Sequence, residues 1–110
     1  MDAYDPRGGR DIMQYTYEVT LDAPLGKKRG LLVMNGIAGE CRGELSLMSF
    51  SNPVCGTVDA DGACTLMGRM RTLMRNLPFT AEGRIDLENL ELTLHWGGRS
   101  YALHGSIQKA

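Results

Sequence analysis

Between residues 13 and 21 the chain alternates without a break: Met13, Tyr15, Tyr17, Val19 and Leu21 are apolar, while Gln14, Thr16, Glu18 and Thr20 are polar. A period of two sends successive side chains to opposite faces, so this segment predicts a β-strand with one dry and one wet side. The same alternation returns at Leu90, Leu92, Leu94 and Trp96, set against Glu91, Thr93 and His95. Shorter extended patterns predict further strands over 31–34, 41–48, 54–59, 64–72, 79–85 and 101–107. The segments between them hold turn residues: Pro24 and Gly26 with Lys27-Lys28-Arg29, Asn35-Gly36 with Gly39, Ser51-Asn52-Pro53, Asp61-Gly62, Arg75-Asn76 with Pro78, Asp86 to Asn89, and Gly97-Gly98. Asp-Gly and Gly-Gly tolerate the positive φ that tight hairpins require, so neighbouring strands are expected to pair. Nothing in the pattern leaves room for a long helix.

A second regularity overlays the first. An apolar-x-Gly-x-apolar unit occurs at Cys41-x-Gly43-x-Leu45, Val54-x-Gly56-x-Val58, Leu66-x-Gly68-x-Met70, Ala81-x-Gly83-x-Ile85 and Leu103-x-Gly105-x-Ile107. Side chains at i, i+2 and i+4 share a face, so each of these glycines belongs to the apolar side. Glycine weakens a strand by about 0.5–1 kcal/mol relative to alanine, so its repetition implies a geometric demand. A small closed barrel makes that demand, because its strands coil sharply and its interior tapers. Hairpins ending in Gly30-x-Leu32, Gly83-x-Ile85 and Gly105-x-Ile107 echo one another, as suits a meander. The expected fold is all-β, a single eight-stranded antiparallel up-and-down barrel over 12–110, preceded by an unanchored tail over 1–11. This glycine-punctuated meander resembles the small lipocalin-like, or calycin-like, β-barrels of bacteria over about residues 13 to 108. The resemblance implies a closed barrel of uncharacterised function.

Composition narrows the function. At 110 residues and a net charge of -1 the chain is one domain's worth of nearly neutral protein, without the basic footprint that binding a phosphate backbone requires. Nucleic acid is therefore not an expected partner. No apolar run reaches the 18 or so residues of a membrane helix, so no membrane partner is expected. The acidic start Met1-Asp2-Ala3-Tyr4-Asp5-Pro6 does not read as a secretory signal, and three cysteines cannot all pair within one chain. Free thiols and a cytoplasmic, reducing location follow as expectations.

No set of residues reads as catalytic. There is no Gly-x-Ser-x-Gly elbow, and the histidines His95 and His104 both fall on the wet face. With Gly97-Gly98 as the hairpin loop, His95 lies opposite Ser100 and His104 opposite Glu91, an ordinary cross-strand arrangement. Three ligands for a metal do not converge, so neither an enzyme nor a cofactor is expected. Two surfaces remain. Leu31, Val33, Met48, Phe50 and Met67 count outward on strands adjacent in a meander, which predicts an apolar patch for self-association, as a homodimer, or for another protein. Alternatively, Tyr15, Tyr17, Trp96 and Tyr101 line the mouth of the barrel and hold a small apolar or aromatic ligand. The first reading is the preferred one, because eight strands enclose a lumen that side chains alone can fill.

Overall fold

The computed structural model describes residues 14–24 and 26–108. The expected tail over 1–11, Met13 and the last two residues of the expected domain lie outside them. Eight strands form one closed antiparallel barrel in sequence order: β1 (Gln14–Ala23), β2 (Gly26–Asn35), β3 (Gly39–Leu47), β4 (Phe50–Val58), β5 (Ala63–Arg71), β6 (Asn76–Ile85), β7 (Asn89–Trp96) and β8 (Arg99–Ile107). The closing ladder joins β1 to β8 from Tyr17↔Ile107 to Asp22↔Ala102. Closure leaves no free sheet edge, which is what makes an all-β chain of this size self-sufficient.

The alternation read from the sequence is the wall of this barrel. Tyr17, Val19 and Leu21 of β1 are buried, as are Leu32 and Met34 of β2, Leu66 and Met70 of β5, and Leu90, Leu92 and Leu94 of β7. The outer wall carries Glu18, Arg42, Glu44, Arg69, Glu82, Arg84 and Glu91, all exposed. A barrel that spans a bilayer has the opposite arrangement, with an apolar belt outside.

The glycines face inward, and the structure shows what excludes a side chain from them. A Cβ on Gly83 would overlap the carbonyl oxygen of Glu91 and sit 2.8 Å from Cα of Leu92. On Gly56 it would overlap the carbonyl oxygen of Thr65 and sit 2.8 Å from Cα of Leu66. In both cases the obstacle is the backbone of the adjacent strand rather than the far wall. Gly30, Gly43 and Gly105 meet the same kind of obstacle, at Ser46, Val33 and Glu18. None of these five has positive φ. The demand is steric: the sheet folds so tightly there that neighbouring main chains occupy the space of a methyl group. Large side chains then lie beside each gap, as Met34 and Val54 do beside Gly43.

Several boundaries differ from the expected ones: Asn76 and Pro78, expected in a reversal, belong to β6 and pair with Arg71 and Arg69, and two further differences change the surface. Lys27-Lys28-Arg29 is part of β2 and pairs with Asp22, Leu21 and Thr20, so the preceding reversal is shorter than the pattern suggested. The β3–β4 reversal is Met48-Ser49, at φ 53 and 71, and not Ser51-Asn52-Pro53. Its cause is Asn52, a polar residue fully buried on the inner face. Asn52 Nδ2 donates to the carbonyls of Leu45 (3.1 Å) and Phe50 (3.4 Å), and its Oδ1 accepts from the Arg71 amide (3.0 Å). The β4–β5 ladder runs from Val54↔Gly68 to Val58↔Cys64, and Asn52 lies beyond it. One side chain thereby supplies the bond between strands that the ladder does not, and all its polar atoms are used.

Candidate interaction surface

The barrel has two ends of different character. Reversals between β1 and β2, β3 and β4, β5 and β6, and β7 and β8 gather at one end; the other three gather at the opposite end, where β1 begins and β8 finishes. The four aromatic residues expected at one mouth are divided between these ends. Trp96 and Tyr101 stand near the first, and Tyr15 and Tyr17 near the second, so they do not form one pocket. Tyr17 is 0% exposed, and its hydroxyl donates to the Asp86 carbonyl at 2.5 Å, closing the second end. Tyr15, Trp96 and Tyr101 are partly buried and pack against the core. The indole Nε1 of Trp96 is buried without a hydrogen-bond partner among the described residues.

Burial, with the nearby Asp86 carboxylate adding to it, pushes the Tyr17 phenol up from 10.0 to about 12. The folded state therefore holds this proton where the unfolded chain releases it. The associated stability is complete below pH 10 and is lost as pH rises through about 12. Monitoring unfolding by circular dichroism across this window is expected to show a loss that Tyr17→Phe reduces, the remainder coming from the buried Cys64 thiol, itself pushed up to about 11. An equal loss in the variant would mean that another group is responsible.

The expected outer patch is also divided. Leu31 (38% exposed) and Met67 (51%) do face outward, and Val33 is half-buried on the same wall. Between them run β3, whose outer residues Glu40, Arg42 and Glu44 are exposed, and β4, whose outer residues include Ser51, Pro53 and Thr57. Met48 is not on the wall but in the β3–β4 turn, half-buried against the core. Phe50 pairs with Leu47 and alternates with buried Asn52 and Val54, so it lies on the inner side at the rim. The earlier reversal is the reason: with the turn at Met48-Ser49, β4 begins at Phe50, two positions before the inward Asn52, and Met48 leaves β3.

The most exposed large apolar side chains among the described residues are Leu73, which alternation along the chain counts outward, and Met74, which it does not single out. Leu73 and Met74 are 92% and 90% exposed at the tip of the β5–β6 turn. The turn is well built: the Thr72 amide donates to the Arg75 carbonyl (2.8 Å), and Thr72 Oγ1 accepts from the amides of Met74 (3.3 Å) and Arg75 (3.1 Å). Its available signal was the placement of two adjacent large apolar residues within Arg71-Thr72-Leu73-Met74-Arg75, a chain reversal that composition alone marks as polar. Basic side chains flank it. Arg71 stacks over the Phe50 ring at 5.6 Å, Arg69 donates to Asn76, and Arg99 is exposed on the neighbouring β7–β8 hairpin, while Lys27 and Lys28 are exposed on the β1–β2 hairpin across the barrel end. Among the described residues Asp22 is the carboxylate nearest the reversals of this end, and Lys27 bonds to it at 3.0 Å; Glu44, opposite Pro53, and Glu82, bonded to His95, stand further along the wall. Glu40, Asp59, Asp61, Asp86 and Glu88 lie toward the opposite end. A nearly neutral chain is thus folded into a molecule with a basic end and an acidic end.

The outer wall also carries a hydrogen-bonded line. His95 Nδ1 is 2.8 Å from Ser100 Oγ, and His95 Nε2 is 2.8 Å from Glu82 Oε2. The pairing of His95 with Ser100 follows the expected register; Glu82 enters diagonally from β6. The His95 and Glu82 side chains are 42% and 53% exposed, so water competes for each bond. His104, opposite Glu91 as expected, has its Nε2 3.4 Å from Oδ2 of Asp22. No group of three or more metal-ligating side chains converges among the described residues. Of the three thiols, Cys55 is exposed, while Cys41 and Cys64 are buried. Burial pushes the Cys64 thiol up to about 11, with the neighbouring Cys41 adding to the shift.

Neither known protein families, nor curated proteins, nor solved structures provide a match to this chain.

Proposed function

We propose that this barrel is a non-enzymatic interaction domain that docks through its basic end. The observation that carries this reading is the pair Leu73 and Met74, almost fully solvated at the tip of a hydrogen-bonded turn. Exposed large apolar side chains scattered singly need no explanation, but two together, flanked by Arg69, Arg71 and Arg75 at an end that also carries Lys27, Lys28 and Arg99, form a binding element. The packed interior supports a docking role over carriage of a small ligand, since Leu32, Met34, Leu45, Leu66, Met70 and Leu94 fill it and all are at most 2% exposed. The lipocalin-like resemblance then extends to architecture and not to cargo. Three free thiols suit a reducing, cytoplasmic setting for such a domain.

The test uses a photo-reactive benzoylphenylalanine placed at Leu73 or, as a matched control at the acidic end, at Leu87, which is 61% exposed. Irradiation of cells making the full chain is expected to give adducts from position 73 well above those from position 87. Equal yields at the two positions would overturn the reading.

A further inference from the structure

We infer that the surface this end docks on is an anionic lipid bilayer; the inference rests on the docking role proposed above. Three features favour a bilayer over a folded acidic protein. The first is shape: Leu73 and Met74 project from a convex turn, which suits a fluid surface that needs no preformed pocket to receive them. The second is the spread of positive charge. Lys27, Lys28 and Arg29 come from β2, Arg69, Arg71 and Arg75 from around the β5–β6 turn, and Arg99 from β8. They come from three of the four hairpins at this end instead of marking one point on it, as a spread of charge facing a continuous negative surface would. The third is the acidic opposite end, which the same surface repels, so the molecule approaches with the apolar turn foremost.

This departs from the expectation of no membrane partner drawn from hydropathy. That expectation concerned a spanning helix, and two side chains at a turn tip leave no trace in a hydropathy average. The mode is peripheral: the two apolar side chains enter the headgroup boundary while the guanidinium and ammonium groups meet lipid phosphates.

The experiment is flotation of the full-length protein with vesicles of phosphatidylcholine alone or of phosphatidylcholine mixed with phosphatidylglycerol. Binding is expected to the mixed vesicles only, and to weaken as salt is raised. Leu73→Ser combined with Met74→Ser is expected to weaken it on the order of a hundredfold. Arg71→Gln combined with Arg75→Gln should weaken it roughly thirtyfold, at about one phosphate-facing charge each. These positions are exposed, and an unchanged thermal transition in each variant confirms that the barrel is intact. Equal flotation with neutral vesicles, or variants that bind like the original, overturns the bilayer assignment. Adducts at position 73 that are protein rather than lipid, with no flotation, overturn it as well while leaving the docking role standing. Absence of both adducts and flotation removes the two together.

Discussion

Replacing Gly83 with alanine is expected to destabilise the barrel by about 3 kcal/mol, even though alanine is the better strand residue. The sign is the informative part. At an unobstructed strand position the added methyl would stabilise by about 0.5–1 kcal/mol, because it removes freedom from the unfolded chain. At Gly83 the methyl meets the Glu91 carbonyl and Leu92 Cα, atoms held by the β6–β7 ladder. A side chain could rotate away; main chain cannot, so the two strands must separate and loosen their pairing. For a domain of this size the loss corresponds to a fall in Tm of roughly 12–20 °C. Urea unfolding should show a lower midpoint with an unchanged slope, since the surface exposed on unfolding is the same. A neutral or stabilising Gly83→Ala would falsify the view that close approach of neighbouring main chains sets the glycine pattern.

The second large effect is expected at Asn52. Asn52→Leu keeps the approximate volume and removes every polar atom of the side chain. It leaves the Leu45 carbonyl and the Arg71 amide, both bonded to Asn52, without that partner at a place where β4 and β5 do not pair. A buried group left unsatisfied costs about 1–3 kcal/mol, so two such groups set an expected loss of about 3 kcal/mol after the gain from an apolar side chain. Hydrogen exchange provides a local reading. The Arg71 amide should lose protection in the variant, while amides of the β7–β8 ladder keep theirs relative to global stability. If Arg71 remains protected, the bond to Asn52 is not what joins these strands.

The architecture was legible in the sequence because its two periodicities are direct images of geometry. Alternation in β1 and β7 specifies faces, and the glycine units specify where the wall bends. What the pattern could not reveal was the role of Asn52. In isolation Ser51-Asn52-Pro53 has the composition of a turn, and only the proximity of the Arg71 amide, 19 positions later, makes it an interior residue. That one substitution of turn for strand moved Met48 and Phe50 off the outer wall. The aromatic quartet failed for a different reason. Tyr15, Tyr17, Trp96 and Tyr101 share the inner face, but period two reports the face and says nothing about height along the barrel axis. The basic end was hidden for a related reason, because net charge sums over both ends of the molecule and cancels what the topology separates.

The seam between β1 and β8 has a kinetic meaning. Seven of the ladders join strands consecutive in sequence, and each can zip up from its own short reversal. The eighth, from Tyr17↔Ile107 to Asp22↔Ala102, must bring together residues some eighty to ninety positions apart. Loop-closure entropy rises only logarithmically with that distance, yet it is the steepest such penalty in the meander, and it is met only once the curved sheet already exists. The seam is therefore the last stretch to close and the first to reopen. An opened molecule presents two raw strand borders of the kind that recruit other chains into aggregates, which the sealed cylinder withholds.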